Sequence, residues 1–374
     1  MDTQALKGSW QLVAQSGDQV PLFFYSALFL MYPETRGLFP VSMATQRDRL
    51  VNALGHVVSN VDRVNELVPF LQQLGRDHRK FSVVAQHYPA VGQALLATLE
   101  HFLGDRWTPA LARDWTAAYG LVAKVMTEAA EESSATSPPW WEGEIILHEV
   151  RAPGIAVIRA RLNYQYPFRA GQSASISVAL RPKLWRFYSF ANTPRRDNTI
   201  DLHVRVVDGG TVSTALVHGA QRGDILKVGA PVGDRLTLAA GPPRELLLVA
   251  GGTGLAPLKA LVEQIAYEGP PRNVRLFAGA RTSRELYDLE ALSKLEAENP
   301  WLRVVPVVSR DAFYSGEHGF AVDAALRAWR GDQDVYVCGS EEMVQSSVSR
   351  LLDAGVPAGH IRFDEFTTAG GSQP

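Results

Sequence analysis

The sequence predicts a multi-domain protein: an all-α domain, then an antiparallel β-barrel, then a parallel α/β domain. Three observations carry that order. Apolar residues recur at helical spacing as far as about residue 132. From Trp140 the spacing falls to two, and after Gly241-Pro242-Pro243 short apolar strands alternate with helical segments. A length of 374 residues suits two or three domains, placed here at 1–132, 140–241 and 242–374 with a linker over 133–139.

In the first domain Leu50, Leu54, Val57, Val58 and Val61 share one helical face, and so do Leu111, Trp115, Tyr119, Val122 and Met126. Thr108-Pro109 supplies a cap and a first residue for the latter helix. Prolines 21, 33, 40, 69, 89 and 109 cut the segment into helix-length pieces. The longest apolar run, Leu22 to Tyr32, is too short to cross a bilayer and predicts a buried helix. Glu131 to Pro139 is polar and proline-ended, the composition of a linker. Glu144 to Val150, Ile155 to Leu162, Ser173 to Val178, Arg186 to Phe190 and Ile200 to Val206 then predict strands divided by turn residues, enough for a small barrel. In the last domain Leu246 to Ala250, Val274 to Phe277, Val304 to Val308 and Asp334 to Cys338 predict buried parallel strands.

Hydrophobic residues make up 46% of the chain and charged ones 20%, with a formal net charge of -2. That balance gives no electrostatic case for nucleic acid or an anionic membrane as partner. A single cysteine, Cys338, excludes an internal disulfide and suits a reducing cytosol. The first residues lack the basic start and apolar core of a secretory signal. The expectation is a cytoplasmic monomer acting on small molecules.

Candidate chemistry concentrates in four places. Arg186, Tyr188 and Ser189 combine a planar cation, a phenol and a hydroxyl on one strand. Alternate residues share a face, so Arg186 and Tyr188 can meet one ligand, a pyrophosphate under the guanidinium and a flat heterocycle against the ring. Gly209-Gly210-Thr211-Val212-Ser213, with a helical Thr214 to His218 behind it, is a second phosphate cradle or a plain turn. Leu246 to Pro257 runs from a strand through Gly251-Gly252-Thr253-Gly254 into a helix, the arrangement in which backbone N–H groups receive a pyrophosphate. After the next strand Arg281, Ser283 and Arg284 can accept a ribose 2′-phosphate or sit as surface charges, leaving NADH and NADPH both open. In the helical domain His78 shares an apolar face with Leu67, Leu71 and Leu74, and Tyr88 and Glu132 could make its imidazole a more basic metal ligand. Tyr25 and Gln46 are polar groups among apolar faces on the other side, and His87 is the rival ligand.

With these residues in view the chain resembles the bacterial flavohemoglobins over essentially its full length. These are a globin fused to a ferredoxin-reductase-like FAD and NAD(P)H module. The resemblance rests on Phe24-Tyr25, Phe39, Gln46 to Leu50, Asp77-His78, His87 to Gln93, Ala118-Tyr119-Gly120, Arg186-x-Tyr188-Ser189, Gly210 to Ser213, Gly251 to Pro257, Val337-Cys338-Gly339 and Phe363 to Phe366. It implies heme b on His78, with Phe39 and Leu50 against the heme, distal Tyr25 and Gln46, and proximal Tyr88 and Glu132. It implies FAD on Arg186, Tyr188, Ser189 and Gly210 to Ser213, covered by Phe366. It implies NADH or NADPH on Gly251 to Gly254, Pro257, Cys338 and Gly339. The activity implied is NAD(P)H-dependent conversion of NO and O2 to nitrate. The alternatives are a flavin oxidoreductase with another donor or acceptor (a quinone, cytochrome or small organic acid), using the globin as relay, and an O2-binding or sensing globin with its own reductase. Three features depart from the common pattern: a short segment between Phe39 and Gln46, Asp77 where a lysine is usual, and Ser189-Phe190-Ala191-Asn192 with Gly251-Gly252-Thr253-Gly254. The last resembles reductases of ring-hydroxylating systems and a divergent actinobacterial branch.

Overall fold

The computed structural model describes residues 1–269 and 272–366; positions 367–374 of the expected third domain lie outside these. Two compact units separate, Met1–Pro139 and a second beginning at Trp140.

The first unit is helical: α1 (Thr3–Ala14), α2 (Gln19–Met31), α3 (Ala44–Ser59), α4 (Val64–His78), α5 (Tyr88–Leu103) and α6 (Pro109–Ser134). Asp2 caps α1 by accepting from the N–H groups of Gln4 and Ala5, each at 3.0 Å. The core joins Leu6, Trp10 and Val13 of α1 to Phe24 and Leu28 of α2, Leu95 and Leu99 of α5 and Trp115 of α6. Trp115 Nε1 donates to Ser9 Oγ across 3.1 Å, so the indole is buried without losing its polar partner. A second cluster, Leu67 and Leu71 of α4 with Met126 of α6, fixes the helix that ends at His78.

Three local expectations change. The apolar run over α2 is longer than its buried face: Phe24, Tyr25 and Leu28 are inside, while Leu22, Leu30 and Met31 are exposed. Pro21 and Pro69 lie within α2 and α4 and do not divide helices. Pro21 falls in the first turn, where the N–H has no partner anyway, and packing carries α4 past Pro69. The polar stretch after Glu131 is helical to Ser134 and tied down, Arg79 donating to Ser133 Oγ at 2.6 Å and to the Ser137 carbonyl at 2.6 Å.

The second unit opens with β1 (Trp141–Ala152), β2 (Ile155–Leu162), β3 (Ser173–Val178), β4 (Arg186–Ser189), β5 (Thr199–Arg205), a short α7 (Thr211–Thr214) and β6 (Ile225–Val232). The antiparallel order is β4-β3-β6-β1-β2-β5. An antiparallel bridge between Phe190 and Leu202, with Ala191 N–H on the Asp201 carbonyl at 2.8 Å, brings the end of β4 onto β5 and closes the sheet. β6 was not expected, because Ile225, Lys227 and the Gly229 to Pro231 stretch dilute its alternation.

Next come β7 (Leu246–Gly251), α8 (Leu255–Glu268), β8 (Val274–Ala280), α9 (Leu289–Glu298), β9 (Leu302–Val308), β10 (Glu317–His318), α10 (Ala321–Ala328), β11 (Asp334–Ser340), α11 (Glu341–Asp353) and β12 (Ile361–Phe366). The sheet is parallel in the order β10-β9-β8-β7-β11-β12. The two-residue β10 and half-exposed β12 are too short or too polar to show as apolar runs. Helices α8 and α9 cover one face, α10 and α11 the other. No helix among the described residues is long and apolar enough to cross a membrane.

Thr108 accepts from the Leu111 N–H at 3.2 Å at the start of the 26-residue α6. Thr108→Ala is expected to lower stability of the helical unit by about 1 kcal/mol, measured by urea unfolding followed at its tryptophans.

Candidate functional site

At the end of α4 the His78 ring is held by its own helix: Nδ1 lies 2.7 Å from the Leu74 carbonyl. A carbonyl only accepts, so Nδ1 carries the proton and Nε2 keeps its lone pair, the tautomer a metal requires. Burial pushes the imidazole pKa below its usual value, which also favours the neutral ligand form. That hydrogen bond takes the place assigned from sequence to Glu132. Glu132 is exposed near the end of α6, and among the described residues its carboxylate has no hydrogen bond or ion pair. Tyr88 packs in the cluster between α4 and α6, and its carbonyl accepts from the Tyr119 hydroxyl at 2.6 Å. His87 Nδ1 accepts from the Val84 N–H at 3.1 Å, a role that closes its own turn.

Tyr25 is buried on α2 beside the Phe39 ring, the centroids 5.4 Å apart and edge to face. Its hydroxyl donates to the backbone carbonyl of Gln46 at 3.3 Å, so Gln46 is engaged through its main chain, where sequence had suggested its amide. Burial pushes the phenol pKa up to about 12. Phe39 and Leu50 are partly buried against the same core.

In the barrel, Arg186 and Tyr188 share a face of β4, and Ser189 is buried on the other. Burial raises the Tyr188 pKa, and the nearby Arg186 charge offsets part of the effect. Arg186 Nη1 donates to the Trp185 carbonyl at 2.9 Å. Beyond β5 the Ser213 hydroxyl donates to the Gly210 carbonyl at 3.1 Å and accepts from the Val207 N–H at 3.3 Å, closing the loop that begins α7. Thr211 and Val212 then lie in the first turn of α7, where N–H groups lack helical partners. The helix expected over Thr214 to His218 continues as a π turn, Ala215–Gly219.

In the α/β layer the chain leaves β7 towards β8, β9 and β10 on one side and returns to β11 on the other, so the sheet's switch point lies between β7 and β11. Ligands of such sheets bind outside the carboxyl ends of the strands at that point. Gly251 to Gly254 lie there. Gly252 has φ +55°, and a Cβ on Gly254 would stand 2.2 Å from the Cys338 carbonyl oxygen. Only glycine lets this loop rest on Cys338-Gly339. The Cys338 thiol is buried, which raises its pKa. Thr253 is also buried, Pro257 lies in the first turn of α8, and Phe366 ends β12 opposite Ser340.

Two of the three groups expected at the ribose are held by carboxylates. Arg281 pairs with Glu285 at 2.8 Å, and the Ser283 hydroxyl donates to Asp311 at 2.6 Å; Arg284 is exposed. Asp311 and Arg205 were missed in the sequence. The signal for Asp311 was its place just beyond β9; Arg205 Nη1 lies 3.1 Å from where a Gly252 Cβ would be.

Family models match three stretches: globin over 22–126, oxidoreductase FAD-binding domain over 145–235 and oxidoreductase NAD-binding domain over 248–349. A flavohemoprotein of Bacillus subtilis is 27% identical over 388 residues, covering 97% of this chain and 96% of that protein. The chain belongs with the flavohemoglobins. A solved flavohemoglobin from Malassezia yamatoensis with bound FAD and heme has the same fold across 98% of both chains, at TM-score 0.76 and 19% identity. The reductase part alone is 30% identical over 227 residues to the reductase component of a Pseudomonas phenol 2-monooxygenase, covering 58% of this chain and 63% of that one. It is also 29% identical to an Amycolatopsis cytochrome P450 reductase, covering 62% of this chain and 70% of that one at TM-score 0.58. As a flavohemoglobin the chain takes heme, FAD and a nicotinamide coenzyme, and the residues present fit all three. The Nε2 lone pair of His78 suits an iron, the Arg186, Tyr188 and Gly210 to Ser213 set suits a flavin dinucleotide, and the Gly254 contact shapes a bare backbone cradle.

Two outcomes follow from this geometry. Gly254→Ala should cut NADH-driven ferricyanide reduction by at least about 100-fold, because the Cβ forces the loop off Cys338 by on the order of 1 Å, while the heme spectrum is retained. The Tyr25 phenol, raised from 10.0 to about 12, contributes stability present below pH 10 and lost as pH rises to about 12. Thermal melts from pH 9 to pH 12 should show that extra loss in the parent protein and not in Tyr25→Phe.

Proposed function

We propose that this flavohemoglobin is an NAD(P)H-dependent nitric oxide dioxygenase. In balance, two NO, two O2 and one NAD(P)H give two nitrates, NAD(P)+ and one proton. When bound, the nicotinamide supplies an electron pair, the flavin divides it into single electrons and the heme iron activates oxygen. The reading is carried by the buried Tyr25 hydroxyl standing in the same unit as the ligand-ready His78. Full-length likeness to flavohemoproteins supports it.

The residues' work is local. His78 would hold the iron through Nε2, and the Leu74 carbonyl keeps the ring in that tautomer. Tyr25 would offer its neutral O–H to a polar diatomic by giving up the long 3.3 Å bond to the Gln46 carbonyl, and Phe39 and Leu50 would exclude water around it. Tyr88 would pack beside the helix that ends at His78. Arg186 and the first turn of α7 would neutralise the flavin pyrophosphate. Gly251 to Gly254 would seat the coenzyme.

His78→Ala should abolish heme binding and NO consumption while leaving NADH-to-ferricyanide turnover within about twofold. A normal heme spectrum in that variant would overturn the ligand assignment.

Glu285 occupies Arg281 and Asp311 occupies the Ser283 hydroxyl, so a 2′-phosphate would find these partners taken and NADH should be preferred over NADPH. Asp311→Asn should narrow that preference by on the order of tenfold in kcat/KM; an unchanged ratio would place the adenosine elsewhere.

A second reading is favoured by the likeness of the reductase part to the reductase component of a phenol 2-monooxygenase, 30% identical over 227 residues: electrons delivered mainly to another acceptor, with the globin as relay. Comparing NO consumption with quinone and cytochrome reduction at equal NADH decides between the two.

A further inference from the structure

Within the second unit a group of ionisable side chains lies between the barrel and the α/β layer, behind the coenzyme loop. Asp288, just before α9, is buried, with Oδ2 2.8 Å from Lys259 Nζ on α8 and Oδ1 bonded by Arg151 of β1. His203 of β5 is equally buried. Its Nδ1 lies 2.7 Å from the Tyr287 hydroxyl, while Nε2 has no hydrogen bond and stands 4.0 Å from Asp288 Oδ2. Burial keeps this imidazole neutral, its pKa pushed down to about 3. The Asp288 carboxylate beside Nε2 favours the tautomer with the ring proton on that nitrogen, which leaves Nδ1 to accept from the Tyr287 hydroxyl. Two more pairs cross the same seam, Arg195 with Glu263 at 3.1 Å and Arg205 with Glu285 at 3.5 Å. In each ion pair across it the barrel supplies the cation and the α/β layer the anion.

The elements gripped here lead to both nucleotide loops. Helix α8, which carries Lys259 and Glu263, begins directly after Gly252–Gly254. β5, which carries His203 and Arg205, runs into the Gly210 to Ser213 loop. Tyr287 packs in one cluster with Leu255 and Cys338. A shift at the seam therefore moves the coenzyme loop relative to the flavin loop.

We infer that His203, Tyr287 and Asp288 are positioning residues forming a catch that closes when coenzyme binds and sets the nicotinamide against the flavin. This rests on the flavin and coenzyme assignments above. The separation of 4.0 Å is about 1 Å longer than an N–H···O bond, so a small closure completes it. Reacting atoms misplaced by such a distance lose rate by as much as 100-fold, on the order of magnitude seen for proximity effects.

The test uses the FAD- and heme-loaded protein. Tyr287→Phe removes only the hydroxyl that orients His203. Rapid-mixing reduction of bound FAD by NADH should show a limiting rate about 10- to 100-fold lower, with the NADH concentration for half-maximal rate unchanged and FAD content and Tm near the parent's. Hydrogen–deuterium exchange supplies a readout apart from activity. Adding NAD+ should slow exchange in peptides covering 199–205 and 283–289 of the parent, and the effect on 199–205 should vanish in the variant. Should Tyr287→Phe not fold, His203→Gln carries the same test. An unchanged limiting rate, or parent protein that binds NAD+ calorimetrically without protection of 199–205, overturns the catch alone. Parent protein that binds no NAD+ overturns the coenzyme assignment and the catch with it.

Discussion

The reductase unit depends on one buried carboxylate. Asp288 has no exposed side-chain surface, and it holds Lys259 and Arg151 at once. An ion pair removed from water gains little over a hydrophobic substitute, but removing a cation leaves the Asp288 carboxylate buried and under-compensated, at up to about 3–5 kcal/mol. The barrel and the α/β layer must therefore meet at this register or pay that penalty. From it follow the place of α8, the seat of its glycine loop and the contact of Tyr287 with His203.

The fold was largely legible because each domain has its own periodicity. Helical spacing marked α3 and α6, and continuous apolar runs marked β7, β9 and β11, since a strand covered on both faces has no polar side to interrupt it. What escaped was structure set by distant partners. β6 pairs with both β1 and β3, so its half-exposed, glycine-containing sequence is held by the ladder and by little of its own propensity. Pro69 misled because packing of Leu67 and Leu71 on Met126 outweighs one lost backbone bond.

The candidate sites show the same division. Glycines announce themselves, since a strand running into Gly251 to Gly254 needs its backbone bare wherever the rest of the sheet lies. His78 was visible as a polar residue on an apolar face. Its partner was not: a carbonyl four residues back carries no side-chain signature, and Glu132 was the more conspicuous candidate. Asp311, Asp288 and His203 become neighbours of the loops only through tertiary folding, and a lone carboxylate or histidine in a strand pattern is indistinguishable from a surface or core residue.

The departure at Phe190-Ala191-Asn192 was the sequence's main hint of a different acceptor. All three residues are buried. Phe190 bridges Leu202, Ala191 donates to Asp201, and Asn192 donates to the carbonyls of Thr193 and Thr199 while accepting from the Asp201 N–H. These contacts close the barrel, so this tripeptide answers to the geometry of β4 on β5. Asn192 is fully buried and both of its amide protons are given to backbone carbonyls, so it has no N–H left to offer an acceptor. In this chain, then, the tripeptide is accounted for by barrel closure. What distinguishes an NO-consuming enzyme from a general electron donor has to be sought in the helical unit, where the Tyr25 hydroxyl is buried and neutral and the His78 lone pair is held ready for iron.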